Sequence, residues 1–237
     1  MNLYRPDYGY RNCKNVKIPN NSNDGLFHYS IKDEKYELLF SLQDLIELKK
    51  TPSMFNARHK VNHIVLSPLK ERVMFMHRWI NNGKKEDRLY VYDFCTKELS
   101  LVSDFGMVSH CYWYGEDKIV GYMNGPERKP GYYLINLSTG IIERMSDLIQ
   151  SFGDGHPSIC GDEMIFDTYP NKKTGLKSLY LFNIKTDVLI LLGQFKEPFY
   201  FCGESRCDLH PRFITPDLLS IDSTHTKKRS FYFIKIR

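Results

Sequence analysis

Three features of the sequence predict an all-β chain built from repeated four-stranded antiparallel blades, a partial β-propeller of about four to five blades. Four histidines, His63, His110, His156 and His210, each stand immediately before a short strand-like run, at intervals of 47, 46 and 54 residues, and a period of that size is the length of one blade. A second signature recurs in step with them. Runs rich in Tyr, Leu and Ile end in Asp93, Asn136 and Asn183, each followed three residues later by a threonine (Thr96, Thr139, Thr186). Aromatic content is high at 14%, which favours strands over helices.

The elements follow in order. Residues 1–24 are rich in Asn, Tyr and Arg without a hydrophobic period, and no element is assigned to them. Leu26 to Ile31 and Tyr36 to Phe40 around a polar turn read as a hairpin, the outer half of a blade (26–40). From Ser41 to Lys49 the apolar residues fall at helical spacing, with Ser41 as a cap and Thr51-Pro52 as a stop. The first full blade (60–106) has strands His63 to Ser67, Arg72 to Arg78, Arg88 to Phe94 and Glu98 to Val102. Two further blades (107–152 and 153–203) repeat the pattern, with third strands at Tyr132 to Leu137 and Leu179 to Ile184 and fourth strands at Ile141 to Met145 and Val188 to Leu192. An incomplete blade (204–237) has three strands, His210 to Ile214, Leu218 to Ser223 and Phe231 to Ile236. The total of 17 strands closes no ring, so the expectation is one domain over 1–237, an open arc resembling the C-terminal part of a larger propeller. Its uncovered blade edges would favour self-association or pairing with a complementing chain.

Parity in an up-and-down meander puts the loops before strand one and after strand two on the same face, with strand one lining the channel. The four histidines should therefore converge near the axis. The loops after the second strands, Asn81 to Arg88, Gly125 to Gly131, Pro170 to Lys177 and Thr224 to Ser230, hold eleven cations against three anions, an excess of +8 over a whole-chain charge of +5. Such a basic crown points to an anionic ligand, although exposed lysines also serve solubility. The ends of the second strands add His77, Arg78, Asn124, Asp167, Tyr169 and His225, with Arg229 in the last loop. A histidine repeated at one position also suits a turn-stabilising role.

The segments Asn62-His63, Phe75-Met76-His77-Arg78-Trp79, Val108-Ser109-His110, Asp154-Gly155-His156-Pro157-Ser158, Asp167-Thr168-Tyr169-Pro170 and Arg206-Cys207-Asp208-Leu209-His210-Pro211-Arg212 resemble the oligogalacturonate lyase-like propeller proteins. The resemblance covers roughly residues 60–237, with a weaker match at Arg5-Pro6-Asp7-Tyr8-Gly9-Tyr10. It implies a seven-bladed fold longer than this chain and a metal-assisted β-elimination on acidic, uronate-containing oligosaccharides or polysaccharides. In the lyases a manganese ion is held by three histidines and a glutamine. His210 matches the first of a histidine pair flanking one residue, His156 corresponds to the remaining histidine, and the partner and glutamine positions hold Arg212 and Cys207. Two of the four ligands are thus replaced.

The chemistry assigns roles to the residues present. Removing a proton next to a carboxylate requires a cation or metal to neutralise the carboxylate and a base near the carbon. Arg206, Arg212 and Arg78 suit a forked contact to a carboxylate, His110 or His63 suits the base, and His156, His210 and Asp208 offer nitrogen and oxygen ligands for a manganese-like divalent metal. Two function classes remain open, a lyase-like enzyme and a non-catalytic module that binds an anionic glycan or a protein partner. The mild net charge gives no argument for nucleic acid. Neither a signal-like start nor an 18-residue apolar run is present, so no membrane partner and a cytoplasmic location are expected. The six cysteines lack paired zinc spacing and are expected as free thiols.

Overall fold

A computed structural model describes residues 22–237; the weak match at Arg5 to Tyr10, Cys13 and most of the 1–24 loop expectation lie outside the described residues. All strand pairing is antiparallel between sequence neighbours, which gives blade-like meander sheets and a β-propeller-like architecture. The chain divides into two compact units. Among the described residues there are 17 strands in one hairpin, three four-stranded sheets and one three-stranded sheet. Among the same residues no helix is long and apolar enough to cross a membrane.

The first unit comprises residues up to Leu66 together with Lys70–Met107. It opens with the hairpin β1 (Gly25–Ser30) and β2 (Lys35–Ser41), followed by helix α1 (Leu42–Leu48). Ser41 starts the helix because its hydroxyl accepts the Asp44 amide at 3.0 Å while the Asp44 carboxylate accepts the Ser41 amide at 2.8 Å, a reciprocal cap. The buried face of α1, Leu42 and Leu45, joins Leu26, Val61, Val73, Phe75, Tyr90 and Tyr92 in one core. The sheet is β3 (Arg58–Leu66), β4 (Arg72–Asn81), β5 (Lys84–Asp93) and β6 (Leu99–Gly106).

Two boundaries in this sheet differ from the sequence reading. Asn82 (φ 48°) and Gly83 (φ 79°) form a two-residue left-handed turn, the geometry that an Asn-Gly hairpin selects. As a result β4 and β5 extend through most of the expected loop Asn81 to Arg88, and Lys84, Lys85 and Arg88 belong to a strand. Strand β3 begins at Arg58, ahead of His63, because a bulge between Asn62 and Val65, with His63 at φ 52°, absorbs the irregularity without ending the pairing.

The second unit comprises Ser67–Leu69 and Val108–Arg237. Its sheets are β7 (Val108–Trp113), β8 (Lys118–Asn124), β9 (Pro130–Asn136) and β10 (Ile142–Arg144); β11 (Ser158–Cys160), β12 (Glu163–Asp167), β13 (Leu176–Asn183) and β14 (Val188–Lys196); and β15 (Arg212–Thr215), β16 (Leu218–Ser223) and β17 (Ser230–Lys235). The middle sheet is covered on both faces, and the period of two sorts its side chains. Met164, Phe166 and Phe182 pack with Val120, Tyr132 and Ile149. Their alternates Ile165, Leu179 and Leu181 pack with Leu209, Leu219 and Ile221. Continuing that alternation places Asp167 on the side of β15–β17.

The recurring Asp/Asn-to-Thr signature has a local cause. The carboxylate or amide oxygens of Asp93, Asn136 and Asn183 accept the amides two and three residues on, at 2.8 to 3.2 Å. The carbonyl of the same residue then accepts the amide four residues on, from Lys97, Gly140 or Asp187. That last residue is left-handed in all three turns, with φ of 62°, 71° and 57°. Only the middle turn uses the residue for which this conformation is free of strain. Substituting Lys97→Gly should therefore stabilise the first unit by about 1 kcal/mol, read as a raised urea midpoint with an unchanged slope; a loss of stability would contradict the strain argument.

Candidate functional site

Three of the four repeat histidines meet in the second unit. The His156 ring lies 4.0 Å from that of His110 and 4.0 Å from that of His210, centroid to centroid. His110 comes from β7, His156 from the segment ahead of β11, and His210 from the segment ahead of β15, each at the entry to its sheet. His63 belongs to the first unit, where it is exposed at the β3 bulge.

The anchor of the trio is Asp167 at the end of β12, 1% exposed. Its Oδ1 accepts the His156 amide at 2.7 Å and the His156 Nδ1–H at 2.9 Å, and its Oδ2 accepts the His210 amide at 3.1 Å. Burial works against this carboxylate, but the hydrogen bond and charge of His156 outweigh it and hold its pKa below the usual range. Burial likewise works against the His156 cation, and the Asp167 hydrogen bond and charge win, raising its pKa. His210 goes the other way. Burial, then the neighbouring His156, lowers it. The close approach depends on Gly155, where a Cβ would collide with the Asp167 carbonyl. His210 itself is left-handed at φ 42°, a strained conformation for a non-glycine residue that the Asp167 and core contacts of its segment sustain.

Carboxylates surround the imidazoles. Asp154 accepts the Ser109 hydroxyl at 2.6 Å and pairs with His110 Nδ1 at 3.1 Å. Asp208, 8% exposed, takes a hydrogen bond from Arg206 on Oδ2 at 2.7 Å, while its buried Oδ1 has no hydrogen-bond partner among the described residues. Arg206 also lies over the Tyr169 ring at 4.8 Å, and Tyr169 stands edge-on to His156 at 5.9 Å. Burial and the charges of Asp154 and Asp208 push the Tyr169 phenol up, so it is protonated at neutral pH.

His156, Asp208 and His210 each present a ligand atom within 4.8 Å of the others. Nδ1 of His156 is bound to Asp167, which leaves Nε2 as the nitrogen that could ligate a metal in the carboxylate–histidine arrangement of metal centres. The donor set of two imidazoles and a carboxylate, with one oxygen buried and unpartnered, fits a divalent cation.

Other expected site residues lie elsewhere. His77, expected to contact substrate, is fully buried in the first unit, with its Nε2 2.9 Å from His59 Nδ1. Burial, then His59 and Arg88, pushes it down to about 3. Arg78 is engaged by buried Asp87 in the same sheet. Asp167 is likewise a buried support for the histidines, because the alternation of β12 turns it inward. Arg212 is exposed on β15. Exposed His225 packs between Phe195 and Tyr232 with Nδ1 2.9 Å from Ser223 Oγ, and Arg229 lies 3.9 Å from Asp222. Of the eleven loop cations, Arg88 and Lys177 are fully buried and paired with Asp104 and Glu197, and the other nine are exposed. The five cysteines among the described residues are free thiols. Asp154, which the sequence reading gave no role, was signalled only by its position two residues before His156.

Comparisons with known proteins bear on the fold. No family model matches the sequence, and no curated protein matches it. Among solved structures, an oligogalacturonate lyase in complex with manganese aligns with TM-score 0.58 and 12% identity, over 90% of this chain and 57% of that one. The tricorn protease aligns with TM-score 0.53 and 8% identity, over 89% and 24%. TolB from Acinetobacter baumannii aligns with TM-score 0.50 and 14% identity, over 89% and 48%. At such identities the likeness is one of fold, a β-propeller-like chain spanning about half or less of TolB and the protease and somewhat more than half of the lyase.

Two outcomes test the electrostatics. In Asp167→Asn the His156 pKa should drop, because burial then meets only the weaker opposing charges of Asp208 and Asp154, and the second unit should lose about 2–3 kcal/mol through the weakened charged hydrogen bonds; an unchanged imidazole titration by NMR would contradict the anchor. The His77 ring stays neutral in the folded chain down to about pH 3, whereas in the unfolded chain it takes up a proton near pH ~6.5. Stability of the first unit is then fully present above that pH and declines on acidification by up to about 1.4 kcal/mol per pH unit. Urea midpoints at pH 7, 6 and 5 should fall less steeply in His77→Gln than in the parent.

Proposed function

We propose that the second unit holds a divalent cation of the manganese type at His156, Asp208 and His210 and acts on acidic, uronate-containing oligosaccharides by β-elimination. The observation that carries this reading is the buried Oδ1 of Asp208, without a partner among the described residues, beside two imidazoles. The surroundings support it. Asp154, Asp167 and Asp208 against Arg206 make the immediate cluster acidic, so a cation suits it better than a bare anion, while the seven exposed loop cations of the second unit suit the approach of an acidic chain.

A bound divalent cation supplies the positive charge that makes the proton next to a uronate carboxylate removable. Arg206 contacts that carboxylate, with Tyr169 beneath its guanidinium holding it in place. His110, oriented by Asp154 on Nδ1, takes the proton from the carbon next to the carboxylate. That electron pair forms the ring double bond as the glycosidic carbon–oxygen bond breaks, and the Tyr169 phenol gives its proton to the leaving oxygen.

A second reading is supported by two of the residues at expected ligand positions. Cys207 is wholly buried and Arg212 is exposed on β15, which leaves three protein donors, and a chain so altered suits a non-catalytic module that binds an acidic glycan. The test is incubation of the purified protein with manganese(II) and oligogalacturonate while following the absorbance of the unsaturated product. Product formation that His210→Ala abolishes and His110→Ala lowers by about 10²–10⁴-fold is the expected result. Manganese binding without product favours the binding module, and absence of manganese binding removes the reading.

A further inference from the structure

The segment that carries Asp208 and His210 is not a strand, yet its backbone is held at nearly every step, and a buried ion pair does part of the holding. Lys177 on β13 is fully buried and its Nζ donates to the Cys207 carbonyl. Glu197, the residue after β14 and 3% exposed, accepts the Cys207 amide on Oε1 at 2.8 Å. The two side chains lie 3.7 Å apart. Both polar groups of the Cys207 backbone are thus satisfied by opposite charges, as a neighbouring strand would satisfy them in a ladder. Further along, the Leu209 carbonyl accepts the Asp222 amide at 2.7 Å and the His210 amide goes to Asp167. Glu197 is itself fixed, since its amide donates to the Gly175 carbonyl at 2.7 Å, and Gly175 is left-handed at φ +70° where a Cβ would crowd the Glu197 carbonyl.

A buried lysine–glutamate pair is an expensive way to fill a core, because desolvation offsets much of the attraction and apolar replacements of equal volume often do as well. What apolar side chains cannot do is bind an amide and a carbonyl of one residue at once. We infer that Lys177 and Glu197 are positioning residues that clamp Cys207, so that Asp208 and His210, one and three residues on, face His156 at ligand distance. The inference rests on the cation reading for its purpose and on the clamp geometry for its substance. It also accounts for a lysine that the sequence groups with exposed loop cations.

The experiment compares Lys177→Met, Glu197→Leu and Glu197→Gln with a control, Val120→Ala, in the separate core that joins Val120 to Phe166 and Phe182. Two quantities are read: hydrogen exchange of residues 206–212 in metal-free protein, and calorimetric titration with manganese(II) chloride. Lys177→Met and Glu197→Leu should exchange faster over 206–212 and bind manganese about 10–100-fold more weakly. Glu197→Gln keeps an oxygen for the Cys207 amide but leaves Lys177 uncompensated, and should lose about tenfold; it decides the matter if the two stronger variants do not fold. Val120→Ala should lower the overall stability and change neither reading at the segment. Exchange and affinity equal to the parent in the folded clamp variants, or the same change in Val120→Ala, overturns the inference. If the parent binds no manganese, the cation reading fails by itself, and the exchange of residues 206–212 still decides whether the clamp exists.

Discussion

One buried carboxylate organises the second unit's candidate site. Asp167 ends a central strand, is closed off from water, and can persist as a charge only because an imidazole and two amides turn toward it. Those donors come from the entry segments of two adjacent sheets, so one side chain sets the position of His156 and His210 together. His110 then meets His156 from the third sheet, held by a carboxylate of its own. Removing the charge at 167 would leave two inward-facing amides and a ring nitrogen with nothing equivalent to bind.

The scaffold contributes regularity and the site departs from it. In the blades the Asp/Asn turns, the alternating faces and the capped helix agree with one another at each level, which is how a sequence specifies a single fold. At the site the agreement lapses. A histidine adopts a left-handed backbone, a carboxylate oxygen lacks a partner, and a lysine is buried in a β core. These costs gather within a few residues of each other, where function is the economical explanation.

Much of this was legible in the sequence because a repeat reports itself. The spacing of the histidines and the Asp/Asn-to-Thr turns located the four larger sheets, and β16 matches its expected bounds residue for residue. The neighbouring positions of His110, His156 and His210 likewise follow from the repeat, since equivalent positions in adjoining blades lie side by side. What the sequence hid was burial. Arg88, Lys177 and His77 read as surface groups because their residue types usually are, and only the paired acids and ring stack reveal them as interior. The Asn82-Gly83 hairpin signal was present, yet Asn81 to Arg88 was read as a loop. No periodicity marks Glu197 or Asp154, whose roles arise from contacts across sheets.

The central claim is that His156, Asp208 and His210 form a cation site, and anomalous diffraction from crystals grown with manganese(II) tests it most directly. The account predicts a single strong anomalous peak within coordination distance of His156 Nε2, His210 and Asp208 Oδ1, with Asp167 still on His156 Nδ1. A cluster with no anomalous peak at saturating manganese, or a peak at other residues, would contradict it.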